Sequence, residues 1–176
     1  MNYHTITYPD QNNGDGLRVV LWLSGCSHHC YNCQNPQTWD VNSGIPFDES
    51  AKEELFRELG KDYISGLTLS GGDPLHEANL DGVLDLVNEI RLSFPNKSIW
   101  IYSGYRWSEI FNDGVYLTRD CAGWKRREIV KKCDVMIDGK YIDSLRDPQL
   151  KWKGSSNQHV IDVEKSMING KIVLWD

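Results

Sequence analysis

Val19-Val20-Leu21-Trp22-Leu23-Ser24-Gly25-Cys26-Ser27-His28-His29-Cys30-Tyr31-Asn32-Cys33 joins an apolar run to a loop that holds three cysteines spaced C-x3-C-x2-C. Arg18 to Ser24 reads as a first buried strand, with the cysteine loop at its C-terminal end. A loop this tight turns three thiolates toward one region. Three are one short of the four donors that close a structural zinc site, and a cubane iron–sulfur cluster also normally takes four cysteines. Two readings stay open at this point. A zinc knot could be completed by His28, His29, Cys121 or Cys133. Alternatively no fourth protein ligand arrives, and an iron keeps an open position for a substrate. His28 and His29 are neighbours on an irregular turn and ill placed to ligate one metal together, so they read as exposed or as supports behind the cysteines.

The same strand-then-loop arrangement recurs along the chain. Leu67-Thr68-Leu69-Ser70 is a second strand, broken by Gly71-Gly72-Asp73-Pro74. Ser98 to Tyr102 is a third, broken by Ser103-Gly104-Tyr105, and Asp134 to Asp138 a fourth, followed by Gly139-Lys140. Helices alternate with these strands. Asp48 can cap one from Glu49 to about Leu59, with Leu55, Phe56 and Leu59 on one face. Asn79 can cap the next, where Leu80, Val83, Leu84, Val87 and Ile90 form a core-facing stripe. A short helix at Trp107–Phe111 stops at Asn112-Asp113-Gly114, and Arg119–Lys132 is helical toward its end. Residues 141–157 look irregular. The tail holds a strand near Val160, a turn of helix ending at Asn169-Gly170, and a strand at Ile172-Val173-Leu174. Four strand–helix alternations predict an α/β fold with a parallel sheet and right-handed crossovers. In such folds the loops after the strands gather at one edge, where ligands bind. The cysteines, Gly71-Gly72-Asp73, Ser103-Gly104-Tyr105 and Asp138-Gly139-Lys140 should therefore surround one cavity.

Bulk properties narrow the function classes. A chain of 176 residues with 40% hydrophobic and 25% charged residues is expected to form one globular domain over 1–176. Its net charge of -6 gives no general attraction for phosphates, which disfavours a nucleic-acid partner. The N-terminus lacks a signal-peptide pattern, and no apolar run is long enough for a bilayer, so a soluble cytoplasmic protein without membrane partner is expected. Five cysteines, three of them in one loop, suit a reducing compartment and a metal site better than disulfides.

Each remaining motif also has a plainer reading. Gly71-Gly72 lets a ligand approach the backbone closely, and carbonyls there with the Asp73 carboxylate suit an ammonium group; the same residues also make an ordinary turn. Asp138 and Lys140 could be a surface ion pair, and Lys125-Arg126-Arg127 with Lys131-Lys132 a solvated helix face.

Taken together, the C-x3-C-x2-C loop after the first strand and Gly71-Gly72-Asp73-Pro74 after the second resemble the radical S-adenosylmethionine enzymes. Asn32 stands directly before the third cysteine, where that family usually has an aromatic residue; here the aromatic is Tyr31. Ser24-Gly25-Cys26, Asn35, Thr38-Trp39, Leu69 to Leu75, Ile137 to Lys140 and Lys153-Gly154-Ser155-Ser156-Asn157-Gln158 resemble, more narrowly, the activating proteins of anaerobic ribonucleoside-triphosphate reductases. Gln34 departs from that pattern, which often has Tyr, and 115–132 matches no motif of it. The resemblance implies a 4Fe–4S cluster on Cys26, Cys30 and Cys33, with S-adenosylmethionine on the open fourth iron. It further implies methionine held near Gly71, Gly72 and Asp73, adenine flanked by the backbone from Asn32 through Cys33 to Gln34, and Ser103, Asp138 and Lys140 near the ribose and carboxylate. The implied activity is that of an oxidoreductase that makes a glycyl radical on the large subunit of the reductase, with an electron from a flavodoxin. Activation of another glycyl-radical enzyme, or a non-catalytic zinc-stabilised binding module, are the alternatives. A closed eight-unit barrel needs around 250 residues. The expected fold is therefore an incomplete (β/α) barrel of the radical S-adenosylmethionine type, open on one side.

Overall fold

The computed structural model describes residues 1–111 and 121–176. In chain order its elements are β1 (Asn2–Asp10), β2 (Arg18–Leu23), β3 (Ile45–Pro46), α1 (Glu49–Leu59), β4 (Gly66–Gly71), α2 (Leu80–Ser93) and β5 (Ser98–Tyr102). There follow α3 (Trp107–Ile110), α4 (Ala122–Lys131), β6 (Val135–Asp138), β7 (His159–Asp162) and α5 (Val163–Asn169). One seven-stranded sheet has the order β3-β1-β2-β4-β5-β6-β7. Its centre, β2-β4-β5-β6, is parallel, as the strand–helix alternation predicts. Antiparallel strands border it on both sides.

The parallel strands are two-faced, which explains their apolar reading. Val19, Leu21 and Leu23 of β2, Leu67 and Leu69 of β4, and Ile99 and Ile101 of β5 pack with Leu55, Leu59, Val83, Val87, Ile90 and Ile129 of the helices. The opposite face carries a different set. At its lower end the fully buried Arg18 donates to Thr68 Oγ1 (2.6 Å), the Leu67 carbonyl (2.6 Å), and both the hydroxyl and the carbonyl of Ser98. Its guanidinium lies 5.2 Å from the Trp100 ring centroid, and Trp152 and Trp175 meet Trp100 edge-on. Burial pulls the Arg18 pKa down to about 10, so it stays charged at neutral pH. Higher on this face Trp22, Ser70 and Tyr102 border a cavity at the C-terminal ends of the parallel strands.

Several expectations hold in detail. Asp48 caps α1 by accepting the Ala51 N–H at 3.0 Å, and Leu55 and Leu59 are fully buried. The α2 stripe is buried at Leu80, Val83, Val87 and Ile90. Others need correction. Residues 2–10, which carry no strict alternation, form β1, because a register shift between Tyr3 and Thr5 lets Tyr3 and Ile6 both face the core. Asn79 precedes α2 but makes no side-chain cap; its amide donates instead to the Ser24 and Asp73 carbonyls. The tail makes only a single bridge, Leu174 to Ile161, in place of a strand over 172–174. The first part of the basic stretch is tied down rather than solvated: Lys125 pairs with Asp81, Arg126 donates to the Leu75 carbonyl and the Tyr105 hydroxyl, and Arg127 donates to the Ile110 carbonyl, while Lys131 stays exposed. The stop at Asn112-Asp113-Gly114, and the start of the helix expected from Arg119, lie outside the described residues. Among the described residues no helix is long and apolar enough to cross a membrane.

Candidate functional site

β2 ends at Leu23, and the chain is carried into the cysteine loop by main-chain bonds to its neighbours. Gly25 N–H donates to the Thr38 carbonyl at 2.7 Å and Cys26 N–H to the Trp39 carbonyl at 3.0 Å. From the other side, Gly72 N–H donates to the Leu23 carbonyl (2.7 Å) and Asp73 N–H to the Gly25 carbonyl (2.8 Å). The two motifs after β2 and β4 are therefore stitched together backbone to backbone. A Cβ on Gly72 would stand 2.5 Å from the Gly25 oxygen, so the missing side chain is required by the cysteine loop itself. Gly71 is at φ +100, and a Cβ there would run into Leu23 main chain.

Cys26, Cys30 and Cys33 border one cavity of about 200 Å³. Gly71, Gly72 and Asp73 line it from β4, Ser103 and Gly104 from β5, and Gly139 and Lys140 from β6. Gln34 also reaches it. Two residues of the implied set face elsewhere. Asn32, exposed and at φ +53, donates its amide to Asp143 Oδ2 at 3.2 Å. Asp138 is 3% exposed, and its carboxylate accepts the Trp107 N–H at 2.8 Å and lies 2.9 Å from His159 Nδ1. It makes no pair with Lys140; it ties the end of β6 to α3 and β7.

Asp73 is the hub of the strand-end loops. Oδ1 accepts the Leu75 N–H (2.8 Å) and the Ser103 hydroxyl (2.9 Å); Oδ2 accepts the Gly104 N–H (3.1 Å) and lies 2.6 Å from His28 Nε2. His28 also meets the Tyr105 ring edge-on at 4.9 Å. Through His28, Asp73 and Ser103, the loops after β2, β4 and β5 form one bonded unit. His28 is thus a support behind the cysteine loop, as expected, and its neighbour His29 is exposed against Trp39.

The chain matches the model of the 4Fe-4S single cluster domain family over residues 12–161, from just before β2 into β7. It is 40% identical over 162 residues to the anaerobic ribonucleoside-triphosphate reductase-activating protein of Escherichia coli K12, covering 91% of this chain and 97% of that protein. The protein of the same description from Enterobacteria phage T4 is 41% identical over 160 residues, with 91% and 93% covered. That of Vibrio cholerae is 38% identical over 160 residues, with 90% and 96% covered. The chain belongs to the anaerobic ribonucleoside-triphosphate reductase-activating protein family.

The cysteines of this activating-protein family member suit an iron–sulfur cluster. Each sulfur faces main-chain N–H groups that favour a thiolate: those of His28 and His29 at Cys26, that of Tyr141 at Cys30, and that of Asn35 at Cys33, where the contact is 3.3 Å. In the metal-free protein burial outweighs this and pushes the Cys26 thiol up to about 11 and the Cys30 thiol upward too, so cluster loading must release protons. Of the four fourth-ligand candidates, Cys121, Cys133 and His29 are not among the residues that border the cavity, and His28, which is, has its Nε2 2.6 Å from Asp73 Oδ2. Cys133 sits in the core and donates to the Ile129 carbonyl, and Cys121 caps α4 by accepting the Trp124 N–H. His28 is on Asp73 and His29 on Trp39. Among the described residues no three His, Cys, Asp or Glu side chains converge as a single ion requires.

Sequence reasoning missed Trp22, Trp39, Tyr102, Tyr141 and Gln158 as cavity residues. Trp22 and Tyr102 sit on strands already identified, and strand parity places both on the face away from the helices. Trp39 and Gln158 fall in stretches that carry the family resemblance, but nothing local ties them or Tyr141 to this cavity.

Proposed function

We propose that this protein activates an anaerobic ribonucleoside-triphosphate reductase by generating a glycyl radical on it, as a radical S-adenosylmethionine oxidoreductase. The observation that carries this reading is the set of three cysteines bordering one cavity at the strand ends, with the Asn35 N–H on the Cys33 sulfur. Near-full-length identity to activating proteins supports the partner. Cys26, Cys30 and Cys33 would hold the cluster and leave one iron for S-adenosylmethionine. A cluster held by these cysteines would supply the electron for reductive cleavage of S-adenosylmethionine to methionine and a 5′-deoxyadenosyl radical, able to take a hydrogen atom from a glycine of the reductase.

The chain's own residues position and shield. Main chain at Gly71 and Gly72 receives the methionine end, and Lys140, exposed at the cavity rim, is placed for its carboxylate. Gln34 and the backbone of Asn32 and Cys33 flank the adenine. Asp73 and Ser103 act by locking the loops, since the Asp73 carboxylate already accepts from several donors. Asp138 acts by anchoring the start of the Gly139–Tyr141 loop.

We read the sheet as an incomplete (β/α) barrel within one domain over 1–176, with an open side that admits the partner's loop. Hydrogen-atom transfer needs reacting atoms roughly 3–3.5 Å apart, so the reductase glycine must enter the cavity. A small flavodoxin-type protein is the electron donor in this reading. Five free thiols suit the reducing cytoplasm. The test is to mix reduced, cluster-loaded protein with S-adenosylmethionine and the reductase without oxygen and record an electron paramagnetic resonance spectrum. A glycyl doublet on the reductase, with 5′-deoxyadenosine accumulating, is expected. A radical that forms only on a different glycyl enzyme would overturn the partner assignment.

A further inference from the structure

The inner wall of the cavity is made by the last inward-facing residue of three neighbouring strands. Trp22 of β2 pairs with Ser70 of β4 in the parallel register. Leu69 pairs with Ile101 of β5, which sets the next residues, Ser70 and Tyr102, side by side. Trp22, Ser70 and Tyr102 thus form one row across the sheet, and all three border the cavity. The row lies just before the loops: Ser70 precedes Gly71, and Tyr102 precedes Ser103. One layer further down, Thr68 and Trp100 are already engaged by Arg18.

The polar groups of this row are not used by the fold in the same way. The Trp22 indole N–H donates to Thr7 Oγ1 at 2.9 Å, which fixes the ring as a flat wall. The hydroxyls of Ser70 and Tyr102 have no hydrogen-bond partner among the described residues, whereas the neighbouring Ser103 hydroxyl is held by Asp73. Ser70 is only 8% exposed, yet its hydroxyl is not sealed in the interior as the unpartnered indole N–H groups of Trp39 and Trp175 are. Its access is through the cavity. Each hydroxyl can both donate and accept. Burial pushes the Tyr102 phenol upward, so it stays a neutral hydroxyl at physiological pH.

Two neutral hydroxyls on rigid strands suit an uncharged ligand that offers donors and acceptors together. A peptide main chain is such a ligand. Glycine has no side chain to recognise, so a site for it must grip the peptide groups on either side. Those groups lose water when a loop enters a cavity, and leaving them unpaired there is costly.

We propose that the Ser70 and Tyr102 hydroxyls bind the main chain of the reductase's glycine segment, pairing with the peptide groups that flank the glycine while Trp22 supplies the wall beside it. This rests on the reading that the partner's glycine enters this cavity.

The test is a titration of full-length, cluster-loaded protein, saturated with S-adenosylmethionine, with the purified anaerobic reductase. No reductant is added, so binding is read without turnover. Tyr102→Phe and Ser70→Ala each remove one hydroxyl and little else. Each is expected to weaken reductase binding about 3- to 10-fold, the loss of one hydrogen bond. S-adenosylmethionine affinity and the Tm should stay at wild type, because neither hydroxyl has a partner within the fold. Tyr63→Phe, at an exposed tyrosine away from the cavity, should change none of the three. Wild-type reductase affinity in both cavity variants would overturn the proposal. A loss of S-adenosylmethionine affinity in its place would assign the hydroxyls to the cofactor and overturn it equally, and a lowered Tm in both would make them structural. A wild-type protein that forms no glycyl radical on the reductase once reductant is added would instead overturn the activation reading beneath it.

Discussion

Gly72→Ala adds one methyl group at the point where the loop after β4 crosses the loop after β2. The new Cβ would lie 2.5 Å from the Gly25 oxygen, 3.0 Å from its carbonyl carbon and 3.1 Å from its nitrogen. All three are backbone atoms, so no side chain can swing aside. Gly25 is held by its N–H on the Thr38 carbonyl and by the Asp73 N–H on its own carbonyl, both under 2.9 Å. Relief therefore requires breaking or stretching at least one of these bonds, at about 1 kcal/mol each. With the overpacking itself the loss is about 2–3 kcal/mol, a fall in Tm of about 4–12 °C for a chain of this size. Because Gly25 directly precedes Cys26, iron uptake should fall along with stability. Thermal unfolding of the metal-free protein and iron content after anaerobic reconstitution measure the two effects. Leu55→Ala is the control: this fully buried α1 residue lies away from the cysteines and should cost about 2–5 kcal/mol while iron uptake is kept. Wild-type stability and iron content in Gly72→Ala would refute the claim that the two loops are packed backbone on backbone.

Alanine at Cys26, Cys30 or Cys33 should each abolish the reconstituted cluster, whereas Cys121→Ala and Cys133→Ala should keep it. Iron analysis decides this, and loss of iron in either of the last two would put a fourth cysteine on the cluster. Asp73→Asn keeps the shape of the hub but turns one acceptor into a donor, leaving the main-chain N–H of either Leu75 or Gly104 without a partner. Urea unfolding should show about 1–3 kcal/mol of lost stability at unchanged slope, and an unaltered midpoint would mean that the carboxylate is not the hub of these loops.

The legible parts of this fold were those with a local cause. Asp48 ahead of an apolar stripe marks the start of α1, and Leu67 to Gly72 marks both β4 and the close approach after it. β1 was not legible, because its bulge places Tyr3 and Ile6 on one face at a spacing that period two forbids. The site divides in the same way. Three cysteines in one loop and glycines after strands are short-range signals, and strand order brings them together. The sequence marks Asp73 only as a carboxylate beside two glycines; its partners at residues 28, 75, 103 and 104 are brought together only by the folded sheet. Gln158 and Asn157 grip main chain 17 to 19 residues earlier, through side chain to backbone bonds that leave no periodicity in the sequence.

The lower end of the cavity face is stopped by Arg18, bonded across the starts of β4 and β5, with Trp100 beneath its guanidinium and Trp152 and Trp175 against that ring. This plug closes the floor below the cavity, which lies at the strand ends beside the cysteines. In the proposed reading, S-adenosylmethionine, the partner's glycine loop and the spent methionine and nucleoside would all enter and leave above this floor. An occupant that arrives last must leave first, so each round of activation would end with the partner undocking before the pocket can be recharged.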